Sequence, residues 1–210
     1  MHVVLVGFGP FPGAPFNPAA ALVKALARRR RPALAGIVRT THVFATTYDA
    51  VDRDLPKLMA LRPDIVLMFG LAGRRHELCV ETRARNAVTV LFPDAGGHCP
   101  SRGTIAPGAE AAMRGPAPSA SLLGAVRPTG FPARLSRDAG RYLCNYAYWR
   151  TLERLDAGRP VAQFVHIPPV RFNPRRPRSA RGSRSFPQLV VAAERLLIAL
   201  IAASRRPSEH

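Results

Sequence analysis

The sequence predicts an α/β protein, a three-layer α/β/α sandwich with a mainly parallel central sheet. Three observations support this prediction. Short apolar runs at 2–6 and 64–69 lack polar alternation, which is typical of strands buried on both faces. Segments with helical periodicity separate such runs, and parallel neighbours require crossovers of this kind. The 210 residues suit one core, so we expect a single domain over residues 1–210.

The first half of the chain alternates between strand and helix. We predict strands over 2–6, 37–46, 64–69 and 80–92, the last one long or bent because its apolar and polar residues alternate only loosely. A first helix begins at Asn17-Pro18, since Asn is a good cap and Pro suits the first helical position. A second helix covers 48–61 and is closed by Arg62-Pro63.

The second half is predicted to contain helices over 119–126, 138–155 and 188–203 and strands over 133–135 and 161–167. Residues 93–118 are rich in Gly, Pro and Ala and indicate a long loop. Residues 171–184 form an exposed segment of Arg and Pro. The last helix is very apolar, but Glu194 and Arg195 interrupt it, so we expect no membrane span.

The composition bears on location and partners. The net charge is +18, yet only Lys24 and Lys57 among the 31 basic residues are lysines, which favours codon bias in a GC-rich genome over nucleic-acid binding. Nucleic-acid binding through 171–184 stays open as an alternative. We see no secretory signal, and the three cysteines contain no C-x-x-C pair. We therefore expect a cytoplasmic protein with reduced thiols and no structural metal site.

Three side chains are candidates for catalysis. Cys144 lies near the start of a predicted helix, where unpaired N–H groups and the helix dipole favour a thiolate and can hold an oxyanion. His166 lies at the carboxyl end of a predicted strand, where α/β sheets bind ligands. Glu81 could orient an imidazole. Taken alone, each also fits a structural role: a core thiol, a hydrogen-bonded histidine, and a surface carboxylate paired with Arg83 or Arg85.

The turn after the first strand, G-F-G-P-F-P-G, contains two aromatic residues. It does not fit a dinucleotide fingerprint, because the third glycine falls late and prolines intervene. Phe8 and Phe11 would suit a small, flat, apolar ring, although both could instead belong to the core.

In combination these segments are more specific. The ordered set G-F-x-P-F with Asn17-Pro18, then G-x-A-G-R leading to a Glu, then S-x-x-A-G-x-Y-L-C-N, then F-V-H-I-P, resembles the pyroglutamyl-peptidase I family of cysteine peptidases. The resemblance implies catalysis by Glu81, Cys144 and His166 without metal or cofactor, and removal of N-terminal pyroglutamate from peptides. It also implies substrate contacts by Phe8, Phe11 and Asn17, and a homotetramer.

Two positions differ from the family pattern. Members often have Gln where this chain has Leu71, and Arg where it has Leu91 in the run T-V-L-F-P-D. Both differences remove polar groups from the expected site. They motivate the alternative that the chain is a hydrolase of the same scaffold that acts on another acyl group.

Overall fold

The computed structural model describes residues 1–11, 14–156, 160–172 and 184–205. Its central sheet has six strands: β1 (His2–Phe8), β2 (Val38–Phe44), β3 (Ile65–Leu71), β4 (Leu78–Glu81), β7 (Ala133–Ser136) and β8 (Val161–Ile167). Their order across the sheet is β2-β1-β3-β8-β4-β7. The first four in that order run parallel, while β4 is antiparallel to β8 and parallel to β7. The predicted α/β class with a mainly parallel sheet is confirmed.

Helices cover both faces of the sheet. One face packs against α1 (Pro18–Ala27), α3 (Ser119–Val126) and α5 (Phe186–Ser204), and the other against α2 (Tyr48–Ala60) and α4 (Leu143–Leu152). Each face of the sheet has its own cluster of buried apolar side chains, the first under α1, α3 and α5 and the second under α2 and α4. Burial on both faces explains why the strands carry apolar runs without alternation. By length and hydropathy α5 could cross a membrane, but its apolar side packs into the first cluster.

The predicted start of α1 is confirmed in detail. The Asn17 Oδ1 atom accepts a hydrogen bond from the Ala19 amide at 3.0 Å, and Pro18 occupies the first helical position. The side-chain amide of Asn17 (Nδ2) also donates to the Gly9 carbonyl at 3.0 Å. One side chain therefore both caps the helix and fixes the turn that follows β1.

The predicted long strand over 80–92 is wrong. The chain leaves β4 after Glu81 and forms β5 (Arg83–Arg85), which pairs with β6 (Ala112–Arg114) in a separate two-stranded sheet. Beyond β5 the Asn86 side chain accepts from the amides of Ile105 and Ala106, so it holds a loop there. The segment 93–118, expected to be a loop throughout, thus contains one short strand.

The predicted helix over 138–155 is shorter at both ends. Gly140 has φ +84°, a left-handed conformation that no α-helix contains, and α4 begins only at Leu143. Most of the predicted Arg/Pro segment, residues 173–183, lies outside the described residues. Its flanks are joined, because the Arg171 amide donates to the Arg184 carbonyl at 3.0 Å.

Candidate active site

The structure brings the three predicted catalytic residues together on the face of the sheet that α4 covers. Glu81 ends β4, His166 is the penultimate residue of β8, and Cys144 is the second residue of α4. His166 pairs with Cys79 across the antiparallel strands, so Glu81, two residues further along β4, faces the same side. The His166 Nδ1 atom lies 2.8 Å from Glu81 Oε1, and Cys144 is close enough to the imidazole to contribute to its raised pKa.

Cys144 lies in the first turn of α4. Tyr142 precedes the helix, and its hydroxyl donates to the Pro93 carbonyl at 2.8 Å rather than capping the helix. The first-turn amides lack intrahelical acceptors, as in every α-helix. Asn145, fully buried, anchors this turn by exchanging hydrogen bonds with the backbone of Arg85 at 2.8 Å in both directions. Cys144 therefore occupies a fixed helix N-terminus, a suitable position for oxyanion stabilisation.

Gly70 gives the sulfur its space, and sequence reasoning did not assign it a role. It pairs with His166 across β3 and β8. A Cβ atom at Gly70 would lie 2.6 Å from Cys144 Sγ and 2.8 Å from Phe164 Cζ. The sequence signals were a buried strand that ends in glycine and the first position of G-x-A-G-R, and neither indicates what this glycine approaches.

The charges of Glu81 and His166 support each other. Burial opposes ionisation of Glu81, but its interactions with His166, Ser136 and Arg75 outweigh this effect, so the pKa of this carboxyl is lowered. Burial likewise opposes the imidazolium, yet the electrostatic and hydrogen-bonding effects of Cys144 and Glu81 raise the pKa of His166 to about 9. The imidazole is therefore protonated at neutral pH.

Glu81 does pair with an arginine, but a different one from those expected for a surface carboxylate. Its side chain is fully buried, and Arg75 Nη1 lies 2.8 Å from Oε1. Arg83 instead donates to the Arg137 carbonyl at 2.9 Å, and Arg85 lies 3.4 Å from an Asp138 oxygen. Sequence reasoning missed Arg75, which directly follows the G-x-A-G-R motif at residues 70–74.

Of the predicted substrate-binding residues, Phe8 is the last residue of β1, and Phe11 and Asn17 follow it. Phe8 is buried, and its ring centroid lies 6.3 Å from that of Phe164, which in turn lies 5.0 Å from the His166 ring. Phe11 is half-buried in a turn whose backbone pairs with Ala14. Asn17 uses its side chain for the cap and the Gly9 contact. Phe8 thus reaches His166 through Phe164 as part of the core, while Phe11 and Asn17 lie in the segment between β1 and α1.

The two residues that depart from the family pattern lie close to these elements. Leu71 ends β3 opposite Ile167 and is half-buried. Leu91 is 78% exposed. Its segment is fastened to the residues before Cys144, because the Thr89 amide donates to the Arg141 carbonyl at 2.6 Å and Tyr142 binds the Pro93 carbonyl. The exposed Leu91 side chain therefore lies in a segment that is hydrogen-bonded to the residues before α4.

We find no group of three or more His, Cys, Asp or Glu side chains arranged to hold a metal ion in the part of the chain that the structure describes. Cys79, Cys99 and Cys144 are free thiols, with Cys79 buried and Cys99 exposed. The site places the Cys144 thiol next to the His166 imidazole, which in turn contacts the Glu81 carboxylate. Such a set can carry out nucleophilic acyl transfer.

Comparison with known proteins identifies the family. The model of the pyroglutamyl peptidase family matches residues 1–205. The chain belongs to the pyroglutamyl peptidase family. The predicted resemblance is thereby confirmed, and the protein is an enzyme of the peptidase class.

Relatives and solved structures agree with this assignment. A pyrrolidone-carboxylate peptidase of Gloeobacter violaceus is 33% identical over 170 residues, which cover 80% of this chain and 82% of the relative. One of Thermococcus kodakarensis is 32% identical over 171 residues, covering 80% and 81%. The crystal structure of pyrrolidone carboxyl peptidase from Thermus thermophilus superposes with a TM-score of 0.81 at 30% identity, covering 95% of this chain and 100% of that one. A mutant pyrrolidone carboxyl peptidase of Pyrococcus furiosus gives a TM-score of 0.85 at 25% identity, covering 97% and 100%.

Proposed function

We propose that this member of the pyroglutamyl peptidase family removes N-terminal pyroglutamate from peptides through a Cys144–His166–Glu81 triad. The observation that supports the proposal most directly is the convergence of these three side chains, with His166 Nδ1 held by Glu81 at 2.8 Å. That contact leaves Nε2 of the ring for the thiol and the substrate. Family membership supplies the substrate class.

The reaction starts from the ion pair in which the Cys144 proton already resides on His166. The sulfur attacks the carbonyl carbon that joins pyroglutamate to the next residue, and first-turn amides of α4 stabilise the oxyanion. When the C–N bond breaks, His166 donates its proton to the leaving amine. Water then attacks the thioester while His166 accepts a proton, and pyroglutamate and free thiol are released. Glu81 keeps the imidazole in one tautomer and stabilises its charged form.

The test is hydrolysis of a chromogenic pyroglutamyl anilide by the purified protein. We expect turnover by the wild type, loss of it in Cys144→Ser, and retention in the matched controls Cys79→Ser and Cys99→Ser. Iodoacetamide should label Cys144 before the other two thiols. Absence of turnover between about pH 6 and 9, the range around the His and Cys reference pKa values, would refute the proposal.

A second candidate keeps the mechanism and changes the acyl group. Leu71 and Leu91 favour it, because both present apolar side chains where the family pattern has polar ones. A panel of aminoacyl and cyclic-acyl anilides separates the two candidates. Higher kcat/KM for any acyl group other than pyroglutamyl would establish the second.

We also propose, from the family resemblance and the free thiols, that the enzyme is cytoplasmic and a homotetramer. Sedimentation equilibrium of the purified protein tests the assembly. A monomer or dimer at micromolar concentration would contradict the tetramer.

A further inference from the structure

Arg75 contacts both Glu81 and the loop that precedes Cys144. It lies in the connection between β3 and β4, and its side chain is 25% exposed. Nη1 donates to Glu81 Oε1 at 2.8 Å and approaches the Ser136 hydroxyl at 3.4 Å. Nη2 donates to the Asp138 backbone carbonyl at 2.7 Å. One guanidinium thus contacts β4, the end of β7 and the loop that follows it.

The contact with Glu81 compensates the negative charge of this buried carboxylate. Oε1 of this buried carboxylate accepts from both Arg75 Nη1 and His166 Nδ1. A carboxylate without exposure to water requires such partners, because its desolvation is costly. The planar guanidinium also restricts the direction in which Oε1 points, which a lysine ammonium would do less well.

The contact with Asp138 concerns the position of the nucleophile. Residues 137–142 form the loop that connects β7 to α4, and Cys144 is the second residue of that helix. Asp138 shapes the loop, since its carboxylate accepts from the Gly140 amide at 3.1 Å. By holding the Asp138 carbonyl, Arg75 joins the carboxylate end of the triad to the segment that places the sulfur.

We propose that Arg75 is a positioning residue of the triad, which fixes Glu81 against His166 and ties this pair to the loop before Cys144. Its effect on peptide hydrolysis depends on the proposed function. Its effect on the thiol does not, because alkylation of Cys144 requires no substrate.

Three variants test the role of Arg75. Arg75→Met keeps the length of the side chain and removes its charge and donors. Arg75→Lys keeps the charge and loses the two-pronged contact. Arg74→Met is the matched control, because it removes the same charge from the neighbouring, exposed residue. For each protein we would measure kcat, KM, the alkylation rate of Cys144 against pH, and unfolding by urea.

We expect Arg75→Met to lower kcat by about 10- to 100-fold with KM nearly unchanged, because the reacting groups are misaligned rather than the substrate unbound. Alkylation of Cys144 at neutral pH should slow, and its pH profile should shift. The titratable groups that face Glu81 are His166, Arg75, Cys79 and Tyr148, and Arg75→Met removes only the arginine charge from this set. Arg75→Lys should recover part of both rates, and Arg74→Met should match the wild type.

The proposal is overturned if Arg75→Met alkylates and turns over within about twofold of Arg74→Met, well inside the expected loss. It is also overturned if only KM changes. Should Arg75→Met fail to fold, Arg75→Lys decides: an unchanged alkylation profile and kcat refute the role. If the wild type cleaves no pyroglutamyl anilide but Arg75→Met still loses the rapid alkylation, the proposed function fails and the positioning role stands.

Discussion

Replacement of Gly70 by alanine tests whether the sulfur position depends on an absent side chain. The added Cβ would lie 2.6 Å from Cys144 Sγ and 2.8 Å from Phe164 Cζ. Comfortable contacts between heavy atoms of this size are about 3.5–4.0 Å, so each neighbour must retreat by about 1 Å. The backbone of Gly70 lies outside the left-handed region, hence the effect of the substitution is steric.

A displacement of this size has two consequences. Moving the sulfur by about 1 Å relative to His166 should lower kcat/KM by about 100-fold. Forcing a methyl group into a packed site should lower the free energy of unfolding by about 1–3 kcal/mol. We would measure kcat/KM with a pyroglutamyl anilide, the alkylation rate of Cys144, and the urea midpoint.

Gly73→Ala is the matched control, because its added Cβ meets no atom within 4 Å and it lies in the adjacent connection. The contribution of the sulfur can be isolated with Cys144→Ala, which removes Sγ. In that background Gly70→Ala should destabilise the fold less, and the difference is the coupling energy of the clash. Gly70→Ala with kcat/KM within about threefold of the wild type, where about 100-fold is expected, would refute the argument.

Three further predictions concern charge and hydrogen bonding. Because the pKa of His166 is raised to about 9, its proton is lost only as pH rises through that value, and kcat/KM should fall over the same range. Glu81→Gln removes one cause of the raised pKa. In a pH–rate profile this variant should lose activity at a lower pH than the wild type. Asn145→Ala removes the side-chain partner of the Arg85 amide and of the Ala87 carbonyl, both part-buried, and should lower the free energy of urea unfolding by about 1–3 kcal/mol; a loss under about 0.5 would contradict this. Asn17→Ala should cost about 1 kcal/mol, and Asn17→Ser, which keeps a capping oxygen, should recover much of that cost.

The sequence was sufficient for the fold class and the core strands because burial on both faces leaves a local signal. The apolar run at 2–6 lies within β1, and Asn17-Pro18 marks the start of α1. The boundary errors arose where distant pairing decides the structure. Residues 83–85 leave the main sheet to pair with 112–114, a partner that local periodicity cannot reveal.

Within the site, the motifs predicted which residues carry chemistry but not how they are supported. Glu81 could be singled out because a motif contains it, whereas the role of Arg75 depends on the strand register that brings its guanidinium to Oε1. Gly70 is similar: its importance follows from the distance to a sulfur 74 positions later. Such contacts are properties of the folded packing, and no local pattern records them.

The pairing of opposite charges explains why ionised side chains can be buried in the site. In the ion-pair form, the Cys144 thiolate and Glu81 carboxylate are balanced by the His166 imidazolium and the Arg75 guanidinium. Each anion lies beside a cation, and His166 interacts with both anions. Removal of one member leaves a buried charge without compensation, which costs far more than the intact pair contributes. The same balance keeps the imidazole protonated and the carboxylate ionised at neutral pH, the two states that the proposed acyl transfer needs before substrate arrives.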